Sequence, residues 1–197
     1  MRHAHGLWII ALACLLLAAC AGPVKRQDTC GGGAAQCAAR GAPFSAEGRI
    51  SVKYGDDSLS GKFAWSHSAA RDELSLASPL GNQLAQIVRD ASGVVLTNSE
   101  RQEFRAADVE SLTEARLGWR LPLAGLTDWV RGRPQGDGGQ ARRDDNGRLA
   151  ELRESGWVIE YSYGDPPGLP RRLILNYPGA EKPLEIRLVI DSWNALD

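Results

Sequence analysis

The chain has 197 residues, 43% of them hydrophobic, and 23 Lys and Arg stand against 24 Asp and Glu for a formal net charge of −1. That length allows one ordinary domain with a real core. The balanced charge, with no basic run carrying interleaved aromatics, argues against a nucleic-acid partner.

The N-terminus reads "MRHAHGLWIIALACLLLAAC". Arg2 precedes an apolar run from Leu7 to Leu17. The run is shorter than the roughly 20 residues of a membrane span and fits an export signal. An ordinary signal peptide cleaved near Ala19, or a short anchor helix, is the alternative. "LAAC" at Leu17–Cys20 resembles a bacterial lipobox, which implies cleavage before Cys20, a diacylglyceryl thioether on its sulfur and acylation of the new amino group. Ala21 rather than Asp follows, which among such lipoproteins points to the outer membrane. Two or more acyl chains anchor stably where one does not. The expected organisation is therefore a signal at 1–19, a lipidated Gly/Ala-rich tether at 20–43 and a domain at 44–197. Within the tether Cys30 and Cys37 are inert or paired with each other, and they make no zinc site.

Period-two alternation then marks half-buried strands. In "RISVKY", Ile50, Val52 and Tyr54 oppose Arg49, Ser51 and Lys53; in "LSGKFAW", Leu59, Phe63 and Trp65 oppose Ser60 and Lys62. Shorter strands are predicted at 72–77, 84–90, 93–97 and 102–105. Asp108 can cap a helix through about Leu117, with Val109 and Leu112 inward. "LPLAGLTDWVRGRP" (121–134) puts Pro122 at a favoured first-turn position, spaces Leu123, Leu126, Trp129 and Val130 helically, and stops at Gly132 and Pro134. Strands return at 148–154 and 171–177, in "WVIEYSY" with Trp157, Ile159, Tyr161 and Tyr163 on one side, and in "LEIRLVID" with Leu184, Ile186, Leu188 and Ile190. Short loops without a βαβ rhythm predict an antiparallel meander. About ten strands must curl into a barrel or half-barrel. A barrel above about eight strands leaves a cavity or needs a plug. The pattern leaves open whether the helices near 108–131 plug a hollow or complete a dry core.

Catalytic chemistry is missing. His67, in "WSHS", is the only histidine after the signal and reads as a surface or strand-edge residue. Ser66 and Ser68 offer no nucleophile elbow. "GDDSLSGKF" spaces its glycines by five residues where a phosphate loop needs four, so it reads as a hairpin turn. No enzyme, cofactor or metal is expected.

Several stretches carry a resemblance in their order and spacing: "FSAEGRISV" (44–52), "GKFAW" (61–65), "LASPLGNQLAQI" (76–87), "LPLAGLTDWVRGRP" (121–134), "GW" (156–157), "LPRRLIL" (169–175) and "LVIDSW" (188–193). Together they resemble the LolB family of outer-membrane lipoproteins, receptors that accept lipoproteins from the periplasmic carrier LolA. Ser78 stands where that family often has Asn, and the tether and the "GDPPGLP" loop at 164–170 depart from it. The resemblance implies an α+β fold dominated by β: an incomplete antiparallel β-barrel, or strongly curled sheet, with a helical lid or plug enclosing a hydrophobic cavity for acyl chains. The cavity residues are then expected among the apolar faces at Ile50, Val52, Phe63, Trp65, Leu123, Trp129, Trp157 and Ile186. Which face of each strand turns inward is not fixed by pattern.

The resemblance also gives the Pro79-Leu80-Gly81 loop a role, because in the family its Leu protrudes and helps deliver the lipoprotein into the membrane. By residue chemistry alone Leu80 either folds back into the core or stands clear, held by the fixed φ of Pro79 and the reversal allowed at Gly81. The implied partners are LolA, client acyl chains and outer-membrane lipid, and the protein is expected to act as a monomer on the periplasmic face of the outer membrane. A lipocalin-like binder of a small apolar ligand and a scaffolding lipoprotein with a filled barrel are the competing readings.

Overall fold

The structure is a computed structural model that describes residues 41–164 and 168–196. The leader 1–19, Cys20, the tether as far as residue 40 with Cys30 and Cys37, and residues 165–167 of the 164–170 loop lie outside the described residues.

Eleven strands form one sheet. They are β1 (Phe44–Tyr54), β2 (Asp57–His67), β3 (Asp72–Ala77), β4 (Gln83–Asp90), β5 (Gly93–Asn98), β6 (Glu103–Ala106), β7 (Gln140–Arg143), β8 (Leu149–Glu154), β9 (Trp157–Tyr163), β10 (Pro170–Tyr177) and β11 (Leu184–Ala195). All pair antiparallel in the order β6-β5-β4-β3-β2-β1-β11-β10-β9-β8-β7. The first and last strands meet in the middle, where Ile50 faces Leu188 and Val52 faces Ile186. The outer strands β6 and β7 do not pair, so the barrel is incomplete.

Alternation decides which face curls inward. Along β1 and β2 the residues Ile50, Val52, Phe63 and Trp65 are buried while Arg49, Lys53, Lys62 and Ala64 are exposed. β7 is not legible as a strand from its residues, because "QARR" has no apolar residue larger than Ala and all four positions are exposed. Gly48 lies at a bulge opposite β11, and a Cβ there would come within 2.0 Å of the Val189 carbonyl oxygen. Only glycine allows that approach.

The chain crosses from edge to edge of the sheet through two helices, α1 (Val109–Leu117) and α2 (Leu123–Trp129). Asp108 caps α1 by accepting from the Ser111 N–H at 2.8 Å, and Gly118 closes it at φ 83°. α1 packs beside β5 and β6 at one sheet edge. Pro122 precedes α2 as its cap and makes no side-chain hydrogen bond. From α2, Leu123, Leu126 and Trp129 are buried, followed by Val130.

Candidate functional site

Two features of this frame bear on function. The first is the β3–β4 turn. Ser78 N–H donates to the Asn82 carbonyl at 2.8 Å, Gly81 N–H to the Ser78 carbonyl at 2.9 Å, and Asn82 N–H to Ser78 Oγ at 3.2 Å. Gly81 takes φ 91°, a conformation a side chain disfavours. Ser78 thus closes the turn on both sides while Leu80 is left 90% exposed. Among the described residues the only other exposed large hydrophobic is Leu196, at 37%. Pro79 and Gly81 are exposed beside it.

The second is an apolar hollow between the concave sheet and α2. It is lined by Ile50, Phe63 and Trp65 of the first strands, Leu123 and Leu126 of α2, and Leu188 of β11, with Ala46, Leu74, Leu76, Leu121, Val130 and Ile190 completing it. Its volume is about 20 Å³, little more than the 10–15 Å³ that a single water requires. The α2 leucines fill the interior, so the cavity expected for acyl chains is not open in this structure. Of the eight residues expected around a cavity, Ile50, Phe63, Trp65 and Leu123 line this hollow. Val52, Trp129, Trp157 and Ile186 are buried on the same concave side but belong to the adjoining core, where the Trp129 ring lies tilted 6.4 Å from Trp157 and Trp157 lies 4.9 Å from Tyr177. Leu74, Leu76 and Leu188 are within reach of the same alternation that picks out Phe63 and Trp65.

Carbon contacts alone join Leu123 and Leu126 to the sheet. Most polar fastenings of α2 to the rest of the domain leave from its C-terminal end, while Gln135 Nε2 donates to the Ala124 carbonyl near its start at 3.5 Å. Trp129 Nε1 donates to Glu154 of β8 at 2.6 Å, and Glu154 also accepts from the Gln135 and Gly136 N–H groups. Arg131 donates to the Ala42 carbonyl at 2.6 Å and lies 4.5 Å over the Phe44 ring. Burial, with Arg133 nearby, pulls the Arg131 guanidinium down to about 10, so it remains charged at neutral pH. At the start of the helix the connector is held to α1 instead, Leu121 N–H donating to Thr113 Oγ1 at 3.0 Å.

Beside the hollow sits a buried charge cluster. His67 is 7% exposed, which corrects the surface placement expected from sequence. It shares its strand face with Phe63 and Trp65, and Asp72 stands opposite it in register. Asp72 is fully buried and accepts from Trp65 Nε1 at 3.0 Å, from His67 Nδ1 at 2.7 Å and from Arg89 Nε at 2.8 Å. Burial works to raise the Asp72 pKa, but the hydrogen bonds from His67 and Arg89 and their charges outweigh it and hold the carboxyl below its usual range. An ionised carboxylate only accepts, so His67 Nδ1 carries the hydrogen. This arrangement has donors and a structural anchor but no nucleophile. No group of three or more metal-ligating side chains occurs among the described residues.

Comparison with known proteins agrees with this architecture. The family model described as "Outer membrane lipoprotein LolB" matches residues 42–193. The outer-membrane lipoprotein LolB of Thiobacillus denitrificans is 40% identical over 154 residues, covering 77% of this chain and 80% of its own. That of Cupriavidus necator is 37% identical over 190 residues, covering 92% and 95%. Among solved structures, a LolA superfamily protein from Nitrosomonas europaea superposes with a TM-score of 0.51 at 11% identity, covering 86% of this chain and 94% of its own, a likeness of fold.

Proposed function

The chain belongs to the LolB family of outer-membrane lipoproteins, with a role in lipoprotein localisation, and on that footing we propose that it accepts acylated lipoproteins from a LolA-type carrier and inserts them into the inner leaflet of the outer membrane. The anchor is the lipid on Cys20, with 20–43 as tether and 44–197 as the working domain. The exposure of Leu80 carries the proposal, because a large apolar side chain held 90% open by a well-bonded turn does nothing for the fold and suits a lipid surface.

Energetics set the mechanism. Three acyl chains contain on the order of 40 CH₂ groups, each worth about 0.8 kcal/mol on leaving water. They must pass between apolar surfaces without entering solvent. The hollow under α2 is the receiving surface, and its present volume requires α2 to withdraw before a chain enters. Withdrawing Leu123 and Leu126 with α2 would bare the apolar concave face of the sheet to an entering acyl chain. The fastening at Glu154 and Ala42 makes the C-terminal end of α2 the pivot. Direction comes from rising affinity, from carrier to hollow to bilayer, with no nucleotide consumed.

The decisive assay incubates the purified protein with a carrier loaded with a lipidated client. Transfer of the client, followed by its delivery to liposomes, is expected. Failure to take up any acylated client, together with tight binding of a free fatty acid, would replace this reading with that of a small-ligand binder.

A further inference from the structure

The convex side of the sheet carries a second hollow, of about 500 Å³, that shares only Ile50 with the first. Its walls bear four cations, Arg49 of β1, Lys62 of β2, Arg172 of β10 and Arg187 of β11. Its floor is small or aliphatic, with Ser51, Ser60, Gly61, Ile174 and Val189. Its rim is Pro79, the residue next to Leu80. We propose that this groove binds the phosphate headgroups of anionic phospholipid in the bilayer that Leu80 enters.

Register explains why the groove wants an anion. Arg49 lies directly opposite Lys62 across β1–β2, and Val189 separates Arg49 from Arg172 in the same row of four strands. Like charges set directly opposite destabilise a sheet. Arg49 is partly offset by Asp191 at 3.2 Å and Arg187 by Glu185 at 2.7 Å. Lys62 and Arg172 have no acidic partner among the described residues. On the other side of the Arg49–Lys62 pair a neighbouring hollow is lined by Glu47 and Asp191, so an anion is directed to the Pro79 side. The chain's own tether is a poor occupant, since its stretch 20–43 carries Lys25, Arg26 and Arg40 against Asp28 alone. An aliphatic floor beneath cationic walls suits an amphiphile with a charged head, and Pro79 places that site where the Leu80 tip meets lipid.

The proposal rests on the membrane role of Leu80, and the test separates the two. The unlipidated full mature chain, with Cys20→Ala, is titrated with phosphatidylcholine vesicles with and without phosphatidylglycerol. Each Lys or Arg near an anionic surface contributes about a fivefold gain in binding, so Lys62→Gln/Arg172→Gln should weaken binding to phosphatidylglycerol vesicles about 30-fold. Binding to pure phosphatidylcholine should not change. Leu80→Glu should weaken both, and its failure to do so would sink the Leu80 reading alone. Lys53→Gln/Arg105→Gln, removing two exposed cations outside the groove, should have far less effect. An unchanged affinity of the Lys62/Arg172 variant for phosphatidylglycerol vesicles overturns the proposal. So does an equal loss in the Lys53/Arg105 control, which would make the effect one of net charge. Slowed uptake from the carrier with vesicle binding intact overturns it too, and assigns the groove to an acidic protein surface.

Discussion

Replacing Leu80 by Glu separates stability from delivery more cleanly than any other single change. The side chain is 90% exposed and buries almost nothing in the fold, so unfolding free energy should move by no more than about 0.5 kcal/mol. In contact with lipid the same side chain gains about 1.5–3 kcal/mol on full burial. A carboxylate forfeits that gain and resists entering hydrocarbon. At 1.4 kcal/mol per factor of ten, delivery from the protein to liposomes should slow by about 10- to 150-fold if tip insertion limits it. Uptake from the carrier should remain, because no residue of the 78–82 turn lines the hollow that Leu123 and Leu126 cover. The assay follows a labelled lipidated client in two stages, first from carrier to protein and then from protein to liposome. Leu80→Met keeps an apolar tip and should keep the second stage. If Leu80→Glu delivers clients at the normal rate while folded, the membrane role of the turn is wrong.

Two further changes probe the interior. Leu126→Ala should cost about 2–5 kcal/mol in urea unfolding, and by enlarging the hollow it should raise binding of an apolar fluorescent probe. Asp72→Asn removes the charge that Trp65, His67 and Arg89 converge on and should destabilise the domain by about 3 kcal/mol. Because the folded Asp72 is held below its unfolded value, its contribution is complete above about pH 4 and fades only as pH falls through the folded value. Wild type should therefore lose stability more steeply than Asp72→Asn under strongly acidic conditions, as read from melting midpoints.

How far the sequence reaches is clear from particular residues. Parity along a strand is local, so alternation alone assigns Ile50 with Val52, and Phe63 with Trp65, to one face of their strands. The same parity runs on to His67, whose polarity suggests exposure as long as its neighbour across the hairpin is unknown. That neighbour is Asp72, five residues away, and it makes the buried position tolerable. β7 escapes because a polar edge strand has nothing to alternate. The cationic groove escapes for a different reason. Lys62 and Arg172 are 110 positions apart, and only the pairing of β1 with β11 brings their strands into one wall.

The hollow is harder still, because an apolar helix face looks the same whether it seals a core for good or covers a site that opens. Leu123, Leu126, Trp129 and Val130 satisfy both descriptions. What distinguishes them is the placement of the directional bonds. The short bonds of α2 to the sheet and to the segment before β1 come from Trp129 and Arg131 at its C-terminal end, while its leucines rest on carbon and its start is held by the longer Gln135–Ala124 contact and by Thr113. Hydrophobic contact is non-directional and is replaced at little loss by an acyl chain of equal apolar area. A hydrogen bond to Glu154 is not. On the proposed function, exchange of leucine for acyl chain with the Trp129 and Arg131 bonds kept is thus the opening to test first.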